Sequence, residues 1–218
     1  TNVNGSAVGT GAIRMILQGD LTNVADTLTG GAGDDVLQIG NTQTGNSFSA
    51  TGVDQELEAN DVFTGNGGID TIEYHNVGNQ AATAAGNTAT AGSGDITTVI
   101  DFDNITGVER ILVMDPDGVA VGGTADPITT SIEALTATAT KMPATFEYDG
   151  SIITDAADTQ DFNYDSQSTS DNDLLTTDFT ITTGAAGDSV GGSGGDDIIN
   201  LGLGDDYAFG GGRSDTID

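Results

Sequence analysis

The sequence has no cysteine, no tryptophan, three prolines and only four basic residues among 218. Without cysteine there is no disulfide framework and no thiolate metal site. Arg14, Arg110, Lys141 and Arg213 are the whole basic complement against 34 acids, for a formal charge of -30. Nucleic acid and anionic membrane surfaces need Lys and Arg against phosphate, so neither is expected as a partner. Aromatics are 5% of residues, which predicts a thin core. The longest apolar run covers residues 111–114, far short of the roughly 20 residues that span a bilayer. Residues 1–20 lack the basic-then-apolar order of a signal peptide, so the chain reads as soluble, without membrane insertion, with any export signal elsewhere.

What is abundant is aspartate, 28 residues against 6 glutamates, together with 33 glycines. A helical acidic surface would favour Glu; Asp suits turns and holds a carboxylate close to the backbone, as oxygen-lined cation sites require. High net charge with few aromatics is also the signature of disorder, and composition alone does not separate the two. Spacing does.

The last 36 residues divide into four nonamers in unbroken phase, TGAAGDSVG, GSGGDDIIN, LGLGDDYAF and GGGRSDTID. The sixth place is always aspartate (Asp188, Asp197, Asp206, Asp215) and the eighth apolar (Val190, Ile199, Ala208, Ile217). Upstream, GGAGDDVLQ at 30–38 follows LTNVADTLT, and GNGGIDTIE at 65–73 follows ELEANDVFT, which adds Asp26, Asp35, Asp61 and Asp70 in the same phase. The pattern resembles the hemolysin-type calcium-binding, or RTX, repeat GGxGxDxUx, with U a large apolar residue, a calcium-binding β-helix unit. LTNVADTLT and ELEANDVFT depart from it by lacking the glycine loop, and TGAAGDSVG and GGGRSDTID replace some glycines.

Glycines early in each unit permit the positive dihedrals of a tight turn and let carbonyls point inward; the last three residues form a short strand. The resemblance implies a right-handed parallel β-roll or β-helix solenoid, all-β, with two nonamers per coil. Loops on one side are then 18 residues apart, and strand stacking at about 4.8 Å sets Asp188 over Asp206 and Asp197 over Asp215. Carboxylates so placed repel unless a cation lies between them. Ca²⁺, with 6 to 8 oxygen ligands at roughly 2.3–2.6 Å, suits carbonyl loops better than Mg²⁺, and with one histidine and no cysteine transition metals are disfavoured. The candidate ligands are the eight aspartates with Gly30, Gly31, Gly33, Gly65, Gly67, Gly68, Gly192, Gly194, Gly195, Gly202, Gly204, Gly210, Gly211 and Gly212. The bland alternative is that these aspartates only cap and solvate turns.

Between the repeats, 39–55 and 74–95 read as loops, and 96–113 as strand, turn and strand, one more rung. Residues 114–182 read as an inserted Thr-rich β unit, with a short helix possible in ITTSIEALTATAT. The expected organisation is an interrupted solenoid over 1–113, that insertion, and four in-phase repeats over 183–218. Four repeats make two coils, too small a core to stand alone, and the last leaves a strand edge, so this segment is expected to continue into a longer solenoid or to pair with another subunit.

Catalytic motifs are weak. Gly191, Ser193 and Gly195 have GxSxG spacing but lie in a glycine-rich nonamer, and the only histidine, His75, reads as a strand-end residue. HExxH is absent, and DPDG at 115–118 resembles an EF-hand start without its later ligands, so a type I turn is preferred. The sequence therefore predicts a non-enzymatic, extracellular structural segment that folds with several Ca²⁺ ions. Its composition and interrupted repeats look most like RTX-bearing bacterial surface-layer proteins, which implies type I secretion, self-association into a lattice and a cell-surface polysaccharide as a further partner. The alternatives are an adhesin or biofilm-matrix segment and the calcium module of a secreted enzyme or toxin.

Overall fold

In the computed structural model, residues 2–16, 26–40, 61–75, 96–101, 104–114, 129–136, 142–153, 159–166 and 176–218 are described. They form strands of two to eight residues. In chain order these are β1 (Asn2–Asn4), β2 (Arg14–Ile16), β3 (Thr27–Thr29), β4 (Val36–Gly40), β5 (Val62–Thr64), β6 (Thr71–His75), β7 (Ile96–Asp101), β8 (Ile105–Thr106) and β9 (Arg110–Met114). They continue with β10 (Thr129–Thr136), β11 (Thr145–Asp149), β12 (Thr159–Ser166), β13 (Asp178–Thr182), β14 (Ser189–Gly191), β15 (Ile198–Asn200), β16 (Tyr207–Phe209) and β17 (Thr216–Ile217). No helix occurs among the described residues.

Among the described residues every strand pairing is parallel, in three sheets: β1-β3-β5-β8, β16-β14-β12-β10-β7, and the eight-stranded β17-β15-β13-β11-β9-β6-β4-β2. A parallel pair needs a crossover, and here it runs through a strand of another sheet. The chain passes from the four-stranded to the eight-stranded sheet and back until β6, visits all three sheets in β7, β8 and β9, then alternates between the five-stranded and eight-stranded sheets to β17. Each strand adds one rung to its ladder.

The core follows from the eighth place of the nonamer. On the eight-stranded sheet Met15, Leu37, Ile72, Ile111, Tyr148, Ile181, Ile199 and Ile217 are register partners in one column. All but Ile217 are buried, and full burial of such a side chain contributes about 1.5–3 kcal/mol. Opposite lie Leu28, Phe63 and Ile105 in the four-stranded sheet and Phe162 and Val190 in the five-stranded one, all buried. The centre of this core is aromatic: Tyr148 stacks on Phe162 at 4.4 Å, and Phe179 lies 6.1 Å from Phe162 and 5.8 Å from Phe146. Scarce aromatics therefore do not make the core thin throughout, because four of the eleven meet at one point.

The Thr-rich region joins the same sheets as the repeats. β10 pairs with β7 and β12, β11 with β9 and β13, and β12 and β13 pair onward with β14 and β15. Residues 129–136, where a helix was possible, are strand; Thr and Ile favour a pleated surface, and two parallel neighbours fix the conformation. Residues 39–40 and 74–75, expected as loop, belong to β4 and β6; the rest of both expected loops, and DPDG, lie outside the described residues.

Candidate metal-binding turns

Each sixth-place aspartate stands just before a strand, and Asp35, Asp70, Asp188, Asp197, Asp206 and Asp215 stand at the exit of a turn. The Oδ1 of seven of the eight accepts a backbone N–H from the neighbouring rung: Ile13 N–H to Asp35 at 2.7 Å, Asp35 to Asp70 at 2.8 Å and Asp26 to Asp61 at 2.8 Å. Toward the C-terminus, Gln160 donates to Asp188 at 2.7 Å, Phe179 to Asp197 at 2.7 Å, Asp188 to Asp206 at 2.9 Å and Asp197 to Asp215 at 3.1 Å. The last two are the expected pairs eighteen residues apart. The second oxygen reaches back four residues into its own turn, where Asp35 accepts from Gly31, Asp188 from Gly184 and Asp197 from Ser193.

A second acidic set was not singled out from the sequence. Asp34 accepts from Ile69 N–H at 2.9 Å, Asp178 from Asp196 at 2.9 Å and Asp196 from Ser214 at 3.2 Å, so these carboxylates bond to the following rung. An adjacent pair such as Asp196–Asp197 thus staples its rung to both neighbours; for Asp34 and Asp196 the signal in the sequence is the doubled aspartate at places five and six, whereas Asp178, followed by Phe179, carries no such signal. Glu109, outside every nonamer, accepts from Asp70 N–H at 2.8 Å and continues the Asp35–Asp70 column.

The glycines matter mainly through close approach. Positive φ occurs at Gly68, Gly202, Gly204 and Gly211 among the candidates, with Gly107, Asn66 and Arg213, and at none of the other candidate glycines. A Cβ on Gly30 would strike Asp35 Oδ2 and the Gly65 carbonyl; on Gly65, Asp70 Oδ2 and the Gly107 carbonyl; on Gly192, Asp197 Oδ2 and the Gly210 carbonyl. The same arrangement thus recurs three times: a carboxylate oxygen from one turn and a carbonyl oxygen from the next rung converge where a side chain would sit. On Gly31, Gly33, Gly195, Gly202, Gly204 and Gly211 the nearest obstacle would be a carbonyl of the preceding rung, whereas on Gly210 it would be Asp215 Oδ2. Gly68 abuts Gly33 and Asp34 Oδ1. A Cβ on Gly67 would meet only Ala32 Cα, in ordinary contact, and its N–H donates to Gly31 O; Gly194 is buried in its turn, and Gly212 N–H donates to Ser193 O. The turns before Asp26 and Asp61 lie outside the described residues.

Asp70 differs from its equivalents. It is fully buried, its Oδ2 has no hydrogen-bond partner among the described residues, and Asn66 four residues earlier has φ 82°, with its Nδ2 donating to Gly30 O. An unsatisfied buried carboxylate oxygen costs on the order of several kcal/mol unless a proton or cation meets it. Burial above all pushes the Asp70 carboxyl from the usual 3.8 to about 6; the Asp35 N–H opposes this, and the charges of Asp35, Glu109 and Asp34 add to it. Burial likewise raises Asp188 and Asp197, against the N–H groups they accept. Because the folded pKa lies above the unfolded one, the folded chain holds a proton that the unfolded chain has already released between about pH 4 and pH 6, and stability falls as pH rises through that window. In chelator the protein should melt at higher temperature near about pH 5 than near about pH 7, and a thermal scan showing the reverse contradicts this assignment.

Among the described residues no three His, Cys, Asp or Glu side chains converge. A cation here would therefore take one or two carboxylates plus turn carbonyls, a donor set that suits a hard ion. Ser193, the GxSxG serine, is buried; its hydroxyl donates to Thr177 O at 2.6 Å and accepts from Gly195 N–H at 3.0 Å, so it braces a turn. His75 ends β6, in register with Gly40 and Met114. Compared with known proteins, the chain matches no family model, no curated protein and no solved structure.

Proposed function

We propose that the alternating parallel strands form a right-handed β-roll, or β-helix, solenoid whose glycine–aspartate turns hold several Ca²⁺ ions, and that the chain is a structural, extracellular segment. The observation that carries this reading is the thrice-repeated meeting of carboxylate and carbonyl oxygens at Gly30, Gly65 and Gly192. Backbone N–H groups satisfy part of each carboxylate, as the turn-capping alternative requires, but each retains lone pairs, and Asp70 Oδ2 has no partner among the described residues. Ca²⁺ supplies what these oxygens and the charge of -30 lack. Binding is then coupled to folding: at free calcium ten times the dissociation constant, each independent site adds about 1.4 kcal/mol. The chain would stay open in calcium-poor cytosol and close outside the cell.

Assembly of like subunits into a bacterial surface layer is the role we assign to the closed form, with outward-facing Leu203, Tyr207 and Phe209, all exposed, as contact residues between copies. This assignment rests on the resemblance to RTX-bearing surface-layer proteins. Calcium titration followed by circular dichroism and light scattering tests both parts. We expect β-structure and compaction to appear first and scattering from assemblies after. A chelator that leaves spectrum, compactness and protease resistance unchanged disproves the calcium reading; calcium-induced folding without assembly disproves the lattice reading.

A further inference from the structure

The sixth-place column of the eight-stranded sheet reads, rung by rung, Ile13, Asp35, Asp70, Glu109, Phe146, Phe179, Asp197 and Asp215. Acids occupy it toward both ends, and two buried phenylalanines replace them in the middle. The five-stranded sheet makes the same change. Its column runs Ile96, Thr130, Gln160, Asp188 and Asp206. Gln160 is buried and neutral; its Oε1 accepts from Tyr148 OH at 3.0 Å and its Nε2 donates to Gly150 O at 3.2 Å. A carboxylate there would face the Gly150 carbonyl with no donor in place of that amide. The aromatic cluster of Phe146, Tyr148, Phe162 and Phe179 fills the same rungs.

We infer that the stack has three parts: two cation-dependent ends, at residues 26–40 with 61–75 and at 188–217, and a cation-independent centre at residues 145–153, 159–166 and 176–182. This rests on the calcium reading and adds to it a division of labour. At the sixth place the centre carries Phe146, Gln160 and Phe179, and the Gln160 side chain bonds to Tyr148 and Gly150, so no stacked sixth-place carboxylates face each other there when cations leave. At the ends, withdrawal leaves stacked carboxylates facing each other and Asp70 Oδ2 without a counterpart. The centre then remains as a template on which either end can close again when the ion returns.

Hydrogen exchange on the full chain, in calcium and after chelation, tests this. Amides of 26–40, 61–75 and 188–217 should exchange about a hundredfold faster after chelation, and those of 145–153, 159–166 and 176–182 within about threefold of their calcium-bound rate. Equal acceleration in the centre overturns the inference while leaving the calcium reading intact; no acceleration anywhere overturns both. A second variant addresses the independence of the two ends. Asp188→Asn with Asp197→Asn keeps an acceptor oxygen at both positions but removes their charge. In calcium, residues 188–217 of this variant should exchange as if chelated and residues 26–40 and 61–75 as in the parent; loss of calcium protection at both ends overturns the inference.

Discussion

Asp197→Ala should lower the stability of the metal-free protein by about 2–6 kcal/mol, because it strands two backbone donors, Phe179 N–H and Ser193 N–H, at about 1–3 kcal/mol each. Asp197 is buried, so water does not replace the lost acceptor. Asp197→Asn separates the two roles of this carboxylate. The amide keeps one oxygen, which can still accept the N–H from Phe179, while its NH2 faces the Ser193 N–H, so the metal-free loss should be about half that of alanine. The added stability in calcium should fall, because an amide is neutral and has one oxygen instead of two. Denaturant unfolding of both variants, with calcium and with chelator, measures the split. If Asn behaves like the parent in calcium, the aspartate is a turn cap and not a ligand.

Phe162→Ala should cost about 3–5 kcal/mol, the range for truncating a buried phenylalanine. The ring is fully buried against Tyr148 and Phe179, so its loss empties the point where the five-stranded and eight-stranded sheets meet. Tyr148 is also held there by its bond to Gln160, and burial keeps its hydroxyl protonated by raising the pKa well above 10. For a domain of this size the change corresponds to a drop of roughly 10 °C in Tm. The loss should be the same in calcium and in chelator, since the rings that hold Phe162 are those of Tyr148 and Phe179. A loss below about 1 kcal/mol, or one that appears only without calcium, contradicts a packed aromatic centre.

The two substitutions act on different layers of one design. Aspartates bind rung to rung along the turns, and the apolar column binds face to face through the core. Beyond the turns, the outer face of the eight-stranded sheet carries its own cross-rung tie, where Arg14 bonds to both carboxylate oxygens of Glu73 and to Gln38 Oε1 at 2.9 Å. Half of the Arg14 side chain is exposed, so we assign this pair about 1 kcal/mol or less.

Phase was the informative quantity in the sequence. The period of nine placed Asp188 beside Asp206, Asp197 beside Asp215 and the eighth-place residues in buried columns, because a strand of fixed pleat turns a repeat in sequence into a column in space. The parallel, helix-free character of the described chain followed from the same signal.

Outside the repeats no such period exists, and pairing had to be decided by contacts. Residues 129–136 look helical or extended by local preference alone; β7 and β12 on either side make them a strand. Glu109 has no nonamer around it, and only the register of β6 and β9 brings it to Asp70. The interchange of acid for phenylalanine at 146 and 179 is invisible along the chain, because the residues that share that column are 18 to 39 positions apart. Sequence by itself thus determined the repeating turn, its oxygen chemistry and the apolar column. The tertiary structure alone decided where that acidic column stops, since burial and cross-rung distance are properties of neighbours that the chain brings together only on folding.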